Sequence, residues 1–290
     1  HNERSPSDYG GTGYGDLAAL LESNNYQILP LNLVVDEAVP SDAAAVVIAG
    51  PQTPLLEEEV QRLQDYLLDG GKALLLIDPG LVSIPDVNAL LEPWQVHFDG
   101  RPIVDLWKSL SDDPLTPVID RFEFHQITKD LSNLLIALPL ATPIELSPDV
   151  WMLPTHPVLA TTSGRSWAET NPDLAQAQYD EGIDLAGPLI VVATVASPET
   201  GTRLALIGDS DLARNDVLQQ IPNGQYLVLN AINWLAEEES LIAIGPKTRV
   251  PQTIRLTRVQ EGMLCLGTLF LIPAAIAAAG FIVWAKRRKG

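Results

Sequence analysis

Apolar runs alternate with an amphipathic stretch in the first third of the chain. The run AAVVIAG (44–50) is almost wholly apolar, which is typical of a strand buried on both faces of a sheet. Apolar residues then recur at helical spacing between 56 and 67, and KALLLID (72–78) forms a second apolar run. A strand, a helix and a strand in this order predict two parallel strands joined by a right-handed crossover.

Similar elements are predicted on both sides of this unit. Residues 15–33 have the pattern of a helix followed by a strand, and PLIVVATVA (188–196) and RLALIG (203–208) are two further strand candidates. A final helix is expected over 223–238. Together these elements predict an α/β fold with a doubly wound, mostly parallel sheet of the flavodoxin-like kind. Residues 100–187 are rich in Pro and short β-like runs, and we expect a β-rich insertion there.

The longest uncharged stretch lies near the C-terminal end. Residues 263–285 are 23 residues without a charge, and as a helix they would extend about 35 Å, enough to cross a hydrocarbon core of about 30 Å. The sequence therefore predicts one C-terminal transmembrane helix that contacts the lipid bilayer. Residues 247–262 would be a juxtamembrane connector, and 286–290 a basic tail.

Charge is distributed unevenly along the chain. Residues 1–246 hold 10 basic and 36 acidic side chains, whereas 247–290 hold 8 basic and 1 acidic. An acidic body argues against nucleic-acid binding, which requires clustered Lys and Arg. The basic cluster at 286–289 favours a cytoplasmic tail by the positive-inside rule. We therefore expect a cell-membrane protein with a cytoplasmic tail and an extracytoplasmic domain over 1–246.

Polar residues follow two of the predicted strands. Asp78 comes directly after the run at 72–77, and Asp209, Ser210 and Asp211 come directly after 203–208. Because ligands of open α/β sheets bind at the carboxyl ends of the strands, these four residues are candidates for ligand binding. An alternative interpretation is that Asp209 and Ser210 only cap the turn or helix that follows. Gly208-Asp209-Ser210 is also similar to the start of an esterase signature, although no histidine follows it.

The opening segment is rich in glycine. Residues 1–16 contain four glycines but neither GxGxxG after a strand nor the GK[ST] of a P-loop, so nucleotide binding is weakly supported. His1 and Glu3, with Arg4, could line a cleft at the strand ends, or the segment could be a flexible connector. With Cys265 as the only cysteine, no internal disulfide or cysteine metal cluster can form. We predict no metal, no cofactor and no catalytic residue.

Several separated blocks resemble one family. His1-Asn2-Glu3 resembles the GHGE-like opening of the auxiliary component of gliding-motility-type ABC transporters, with Asn2 in place of the family glycine. The resemblance continues through 48–79, 161–170, 184–188, 203–215, 229–247 and 273–289. It implies an amidotransferase-like α/β domain, membrane-anchored and extracytoplasmic, that works beside an ABC permease and ATPase.

Two functions are compatible with these features. The first is a non-catalytic, membrane-anchored accessory subunit of an ABC-type transport system, which binds a partner or a ligand and has the permease and ATPase subunits as partners. The alternative is an anchored hydrolase or carbohydrate-binding module that uses a cleft near Asp209.

Overall fold

The computed structural model describes residues 1–81, 83–150, 153, 155–237, 284, 287 and 288. The chain divides into one unit over His1–Gly245 and a second over Pro246–Gly290. The elements and the candidate site described below belong to the first unit.

Helices and strands alternate at both ends of the first unit, and short strands dominate its middle. The α-helices are α1 (Gly15–Ser23), α2 (Glu57–Leu68), α3 (Ile84–Leu91), α4 (Asn215–Gln220) and α5 (Gly224–Leu235). The strands are β1 (Val46–Ala49), β2 (Lys72–Leu76), β3 (Val96–Phe98), β4 (Ile103–Asp105), β5 (Ser109–Leu110), β6 (Asp113–Ile119), β7 (Ile136–Ala137), β8 (Ile144–Leu146), β9 (Val158–Thr161), β10 (Ser166–Ala168), β11 (Leu185–Ala186), β12 (Ile190–Ala196) and β13 (Arg203–Ile207). Single 3₁₀ turns occupy Glu92–Trp94, Leu174–Gln176 and Asp211–Ala213.

A five-stranded sheet in the order β1-β2-β13-β12-β9 forms the centre of the unit. β1 and β2 are parallel, as the sequence predicts, and helix α2 connects them. β13 is parallel to β2, so the strands β1, β2 and β13 all end at the same edge. β12 runs antiparallel to both β13 and β9.

Alternating side chains of the central strands pack into two separate cores. On β2, Leu74 and Leu76 join a core that includes residues of α1 and α5. Ala73 and Leu75 join a second core with residues of α2 and α3. Because successive side chains of a strand point to opposite faces, helices cover both faces of the sheet. This explains why its central strands are nearly continuous apolar runs.

The middle of the unit forms three small sheets, in the orders β11-β10-β4, β3-β8 and β5-β6-β7. Their internal pairings are antiparallel. β9 also comes from the region 100–187, and it lies at an edge of the central sheet. The fold is therefore mixed α/β with several small sheets.

The sequence predicts a doubly wound, mostly parallel sheet of a flavodoxin-like or amidotransferase-like kind. This prediction is wrong. Residues 197–202 connect β12 to β13, and six residues are too few for the crossover that parallel neighbours require, which takes about a dozen. These two strands therefore form an antiparallel hairpin. The strand expected within 15–33 is also absent, since the described residues 24–33 after α1 contain no strand.

The structure does not support the predicted C-terminal transmembrane helix. In the part of the chain that the structure describes, no helix is both long enough and apolar enough to cross a membrane. The longest of the helices named above, α2 and α5, have 12 residues each, or about 18 Å at 1.5 Å per residue, against a core of about 30 Å. The predicted span 263–285 lies outside the described residues except for Trp284. The predicted localisation depended on this helix and loses its support as well. It had one C-terminal span, an extracytoplasmic body and a cytoplasmic tail.

Candidate functional site

Four polar residues meet where the three parallel strands end. The backbone register aligns Ala49 of β1, Leu76 of β2 and Ile207 of β13. Gly50 follows β1, Asp78 lies two residues beyond β2, and Asp209 to Asp211 lie beyond β13. The parallel register therefore places the predicted residues Asp78, Asp209, Ser210 and Asp211 at one edge of the sheet.

Asp78 and Ser210 form a buried pair. The Ser210 hydroxyl donates a hydrogen bond of 2.6 Å to Asp78 Oδ2, and the Ser210 backbone N–H donates to Oδ1 of the same carboxylate. Burial raises the pKa of Asp78, although the hydrogen bonds from Ser210 oppose the shift. Gly50 makes room for the pair: it has φ of +62°, and a Cβ there would lie 2.5 Å from Ser210 Oγ. A side chain on Gly50 would displace the serine hydroxyl.

Asp209 is fully buried, and only one of its two carboxylate oxygens has a hydrogen-bond partner among the described residues. Its Oδ1 accepts a hydrogen bond of 2.8 Å from the backbone N–H of Leu212 in the 3₁₀ turn. Its Oδ2 has no hydrogen-bond partner among the described residues. Burial raises the pKa of Asp209 well above its ordinary value, and the negative charges of Asp78 and Asp211 add to the shift. Asp209 is therefore favoured in its neutral form.

A loop covers this edge of the sheet. Residues 2–14, called here the covering loop, precede α1 and contact the segment after β13. Arg4 donates to Asp211 Oδ1, and Arg214 Nη1 donates to Asp211 Oδ2 over 2.9 Å. Arg214 also holds Asp216 with two hydrogen bonds of 3.0 and 2.5 Å. Asp211 therefore lies between two guanidinium groups, one from each segment.

Backbone contacts complete the attachment of the loop. The side-chain amide of Asn215 donates to the carbonyls of Asp8 and Gly10, and its backbone N–H donates to Gly13. Tyr14, at the end of the loop, is buried and donates its hydroxyl proton to the carbonyl of Ser210. Burial raises the pKa of the Tyr14 hydroxyl, so it stays protonated and can remain a donor.

His1 and Glu3 do not join the four clustered residues through their observed contacts. His1 Nδ1 lies 3.2 Å from Thr53 Oγ1, and its Nε2 lies 2.9 Å from a carboxylate oxygen of Glu59 on α2. Glu3 Oε2 lies 3.0 Å from the backbone nitrogen of His1. The structure thus brings four of the six predicted site residues together and places His1 and Glu3 towards α2.

Four residues of this site, Gly50, Tyr14, Arg214 and Asn215, were not among the predicted site residues. Arg214 and Asn215 lie in the polar segment after 203–208, so their closeness to Asp211 in sequence was a usable signal. Tyr14 meets Ser210 across 196 positions of sequence, and no local pattern reports such a contact.

The arrangement disfavours serine hydrolysis. Ser210 has 0% of its surface exposed, and its hydroxyl donates to a carboxylate that holds it in place. A serine nucleophile needs access to substrate and a base, most often histidine, to take its proton. Among the described residues, no group of three or more His, Cys, Asp or Glu side chains is arranged to hold a metal ion.

A second surface feature is apolar and open. A hollow of about 250 Å³ lies between β5, β6 and the loops near them, lined by Trp107, Lys108, Ser109, Leu110, Val118, Asp120, Leu135 and Ile221. Trp107 is 65% exposed, and the guanidinium of Arg165 lies 4.2 Å from its ring centre. Leu106 and Leu135 are also exposed. Such an exposed apolar surface is typical of a contact site for another protein.

Comparison with known proteins identifies a family for the first part of the chain. Residues 1–109 match the family described as ABC-type uncharacterized transport system. The match confirms the resemblance drawn from the sequence and includes the covering loop, β1, β2 and Asp78. No curated protein matches the chain.

A solved structure shares the fold of this chain. A structure titled "mmIFT52 N-terminal domain" is similar, with a TM-score of 0.59 and 18% identity, and the match covers 78% of this chain and 91% of that one. At this identity the likeness shows a common fold. A putative ThuA-like protein from Bacteroides uniformis also matches, with a TM-score of 0.42 and 12% identity over 80% of this chain and 88% of that one.

Proposed function

We propose that this protein is a non-catalytic accessory subunit of an ABC-type transport system and that its folded body binds another subunit of that system. The family match over residues 1–109 carries this proposal.

The strand-end cluster, which is formed by Asp78, Asp209, Ser210 and Asp211, supports a non-catalytic role. Its serine and two of its carboxylates, Asp78 and Asp209, are buried, and the chain's own Tyr14 and Arg4 contact the cluster. A substrate would have to displace these groups before it reached Ser210. Hydrolysis near Asp209, the alternative function, therefore has no open site in this arrangement.

The hollow beside Trp107 is the contact surface that we propose. Trp and Arg are enriched at the centres of protein interfaces, and here Arg165 stacks on an exposed Trp107. Charges at the hollow are mixed: the Lys108 ammonium lies 2.5 Å from Asp120, and the exposed carboxylates Asp112 and Asp113 border Leu110. The segment that fits this surface is therefore mainly apolar, and we assign it to the permease or the ATPase.

Co-purification from the native host tests the proposal. The tagged full-length protein is captured under gentle conditions, and its partners are identified by mass spectrometry. We expect an ABC permease and an ATPase to be recovered together with it. Recovery of the intact protein with neither subunit, in repeated preparations, would contradict the proposed function.

A pair of matched variants tests the contact surface. Trp107→Ala removes the indole from the hollow, whereas Phe124→Ala removes an aromatic ring that is 89% exposed but does not line it. We expect Trp107→Ala to lower the yield of the partner subunits at least tenfold, the effect of losing an interface hot spot. Phe124→Ala should leave the yield unchanged. Equal yields from both variants would remove the hollow as the contact surface without affecting the family assignment.

A further inference from the structure

Polar contacts attach most of the covering loop to the body. Residues 5–12 are exposed to solvent, whereas Tyr14 at the loop's end is buried. The rest of the attachment includes the Arg4–Asp211 ion pair and hydrogen bonds to loop carbonyls from Asn215, Asp216 and the backbone N–H of Gly15. Segments with few buried apolar contacts open at a lower free energy than the core of a protein.

The closed arrangement also leaves two buried polar atoms unsatisfied. Asp209 Oδ2 and Arg4 Nε are buried and have no hydrogen-bond partner among the described residues. Buried polar groups are normally hydrogen-bonded, and an unsatisfied one disfavours the state that buries it. When the loop lifts, Arg4 leaves with it and water reaches the strand ends. Both atoms then gain partners that they lack in the closed state.

We propose that the covering loop opens and closes over the strand ends as a strap, and that Asp211, held between Arg4 and Arg214, is the clasp that keeps it closed. Arg214 stays with the body because it also binds Asp216, so it holds Asp211 in position while Arg4 binds or leaves. The open state exposes Asp78, Asp209 and Ser210. This inference does not depend on the proposed function.

The geometry offers a covalent lock for the strap. An ideal Cβ on Gly11 of the loop would lie 3.4 Å from Cβ of Asp216 on α4, close to the separation of about 3.5–4.5 Å in disulfides. The variant Gly11→Cys, Asp216→Cys is therefore expected to form a bond that closes the strap when oxidised. Cys265→Ser in the same chain removes the one natural cysteine.

Amide hydrogen exchange in the full-length chain gives the readout. The N–H groups of Ser210 and Leu212 donate to Asp78 and Asp209 beneath the loop. We expect their exchange to be at least tenfold slower in the oxidised variant than in the same variant after reduction. Equal rates in the two forms would overturn the proposal, because they would show that these amides exchange without movement of the strap.

A second variant keeps the test independent of disulfide formation. Arg4→Ala removes one half of the clasp, and we expect it to speed exchange at Ser210 and Leu212 about tenfold, as the loss of a charged hydrogen bond implies. Arg62→Ala, which removes a guanidinium that binds the carbonyl of Leu33 on another surface, should leave both rates unchanged. Unchanged rates in Arg4→Ala would likewise overturn the proposed clasp.

Discussion

The strand-end cluster and the hollow beside Trp107 are opposite in construction. The cluster consists of polar side chains, three of them buried, that lie beneath the protein's own loop and bind groups of the same chain. The hollow is lined mainly by apolar side chains, including the exposed Trp107 and Leu135, together with Lys108, Ser109 and Asp120. The polar segment after β13 therefore serves internal attachment, whereas the surface suited to a partner has no sequence motif.

This contrast leads to different expectations for substitutions in the two regions. Changes in the cluster should alter the free energy of unfolding and leave partner binding intact. Changes in the hollow should weaken partner binding and leave the free energy of unfolding nearly unchanged.

Gly50→Ala should be the most destabilising of these substitutions. Its φ of +62° is unfavourable for alanine, and the new Cβ would lie 2.5 Å from Ser210 Oγ. We expect a loss of about 2–4 kcal/mol, from the left-handed backbone together with overpacking. Gly80→Ala is the matched control, because Gly80 has φ of +68° but no atom within 4 Å of its Cβ position. Urea unfolding should show a loss of only about 1 kcal/mol for the control. Equal losses would mean that contact with Ser210 is unimportant.

Asp209→Asn should change how stability depends on pH. Burial raises the pKa of Asp209 in the folded protein, so the contribution of this residue to stability is greatest below its unfolded pKa of about 4 and falls as pH rises towards the folded value. Asparagine does not titrate. The variant should therefore gain stability relative to wild type as pH rises from about 4 towards 7.

Urea unfolding at several pH values measures this gain. Asp42→Asn, at an exposed position, serves as the control and should keep a constant difference from wild type. A constant difference for Asp209→Asn as well would show that Asp209 does not resist ionisation in the folded state.

Much of this fold could be predicted from local pattern. β1, β2, β12 and β13 coincide with apolar runs, because helices cover both faces of the sheet and most side chains of its strands are then buried. The direction of β12 was mispredicted because strand patterns do not report orientation. The six-residue link at 197–202 did carry that information, since it is too short for a crossover.

The candidate site was predictable only where chain topology brings strand ends together. Asp78 and Asp209 to Asp211 each follow a strand, and parallel neighbours end at one edge. The contacts that Tyr14 and Asn215 make with distant residues could not be predicted from the positions of strand ends. Their partners Ser210 and Asp8 lie 196 and 207 positions away, and only the path of the covering loop brings them into contact.

Tyr14→Phe should have a smaller effect than either change above. The substitution removes the hydroxyl that donates to the carbonyl of Ser210 and leaves that carbonyl buried without the bond. We expect a loss of about 1–2 kcal/mol in the free energy of unfolding. Tyr9→Phe in the same loop is the matched control, since Tyr9 is exposed, and it should change stability by less than about 0.5 kcal/mol. If both variants were equally stable, Tyr14 would not anchor the loop through its hydroxyl.

Trp107→Ala should have the smallest effect on stability and the largest on binding. Most of its indole already faces solvent, so the substitution loses mainly the stacking of Arg165, worth about 0.5–1 kcal/mol at an exposed site. The free energy of unfolding and the recovery of partner subunits are measured for both Tyr14→Phe and Trp107→Ala. Together they test whether the cluster determines stability and the hollow determines binding. The tyrosine variant should be less stable yet retain its partners, and the tryptophan variant should be nearly as stable as wild type yet lose them. Loss of partners in both would mean that binding depends on the closed covering loop, and the two regions would then act as one functional surface.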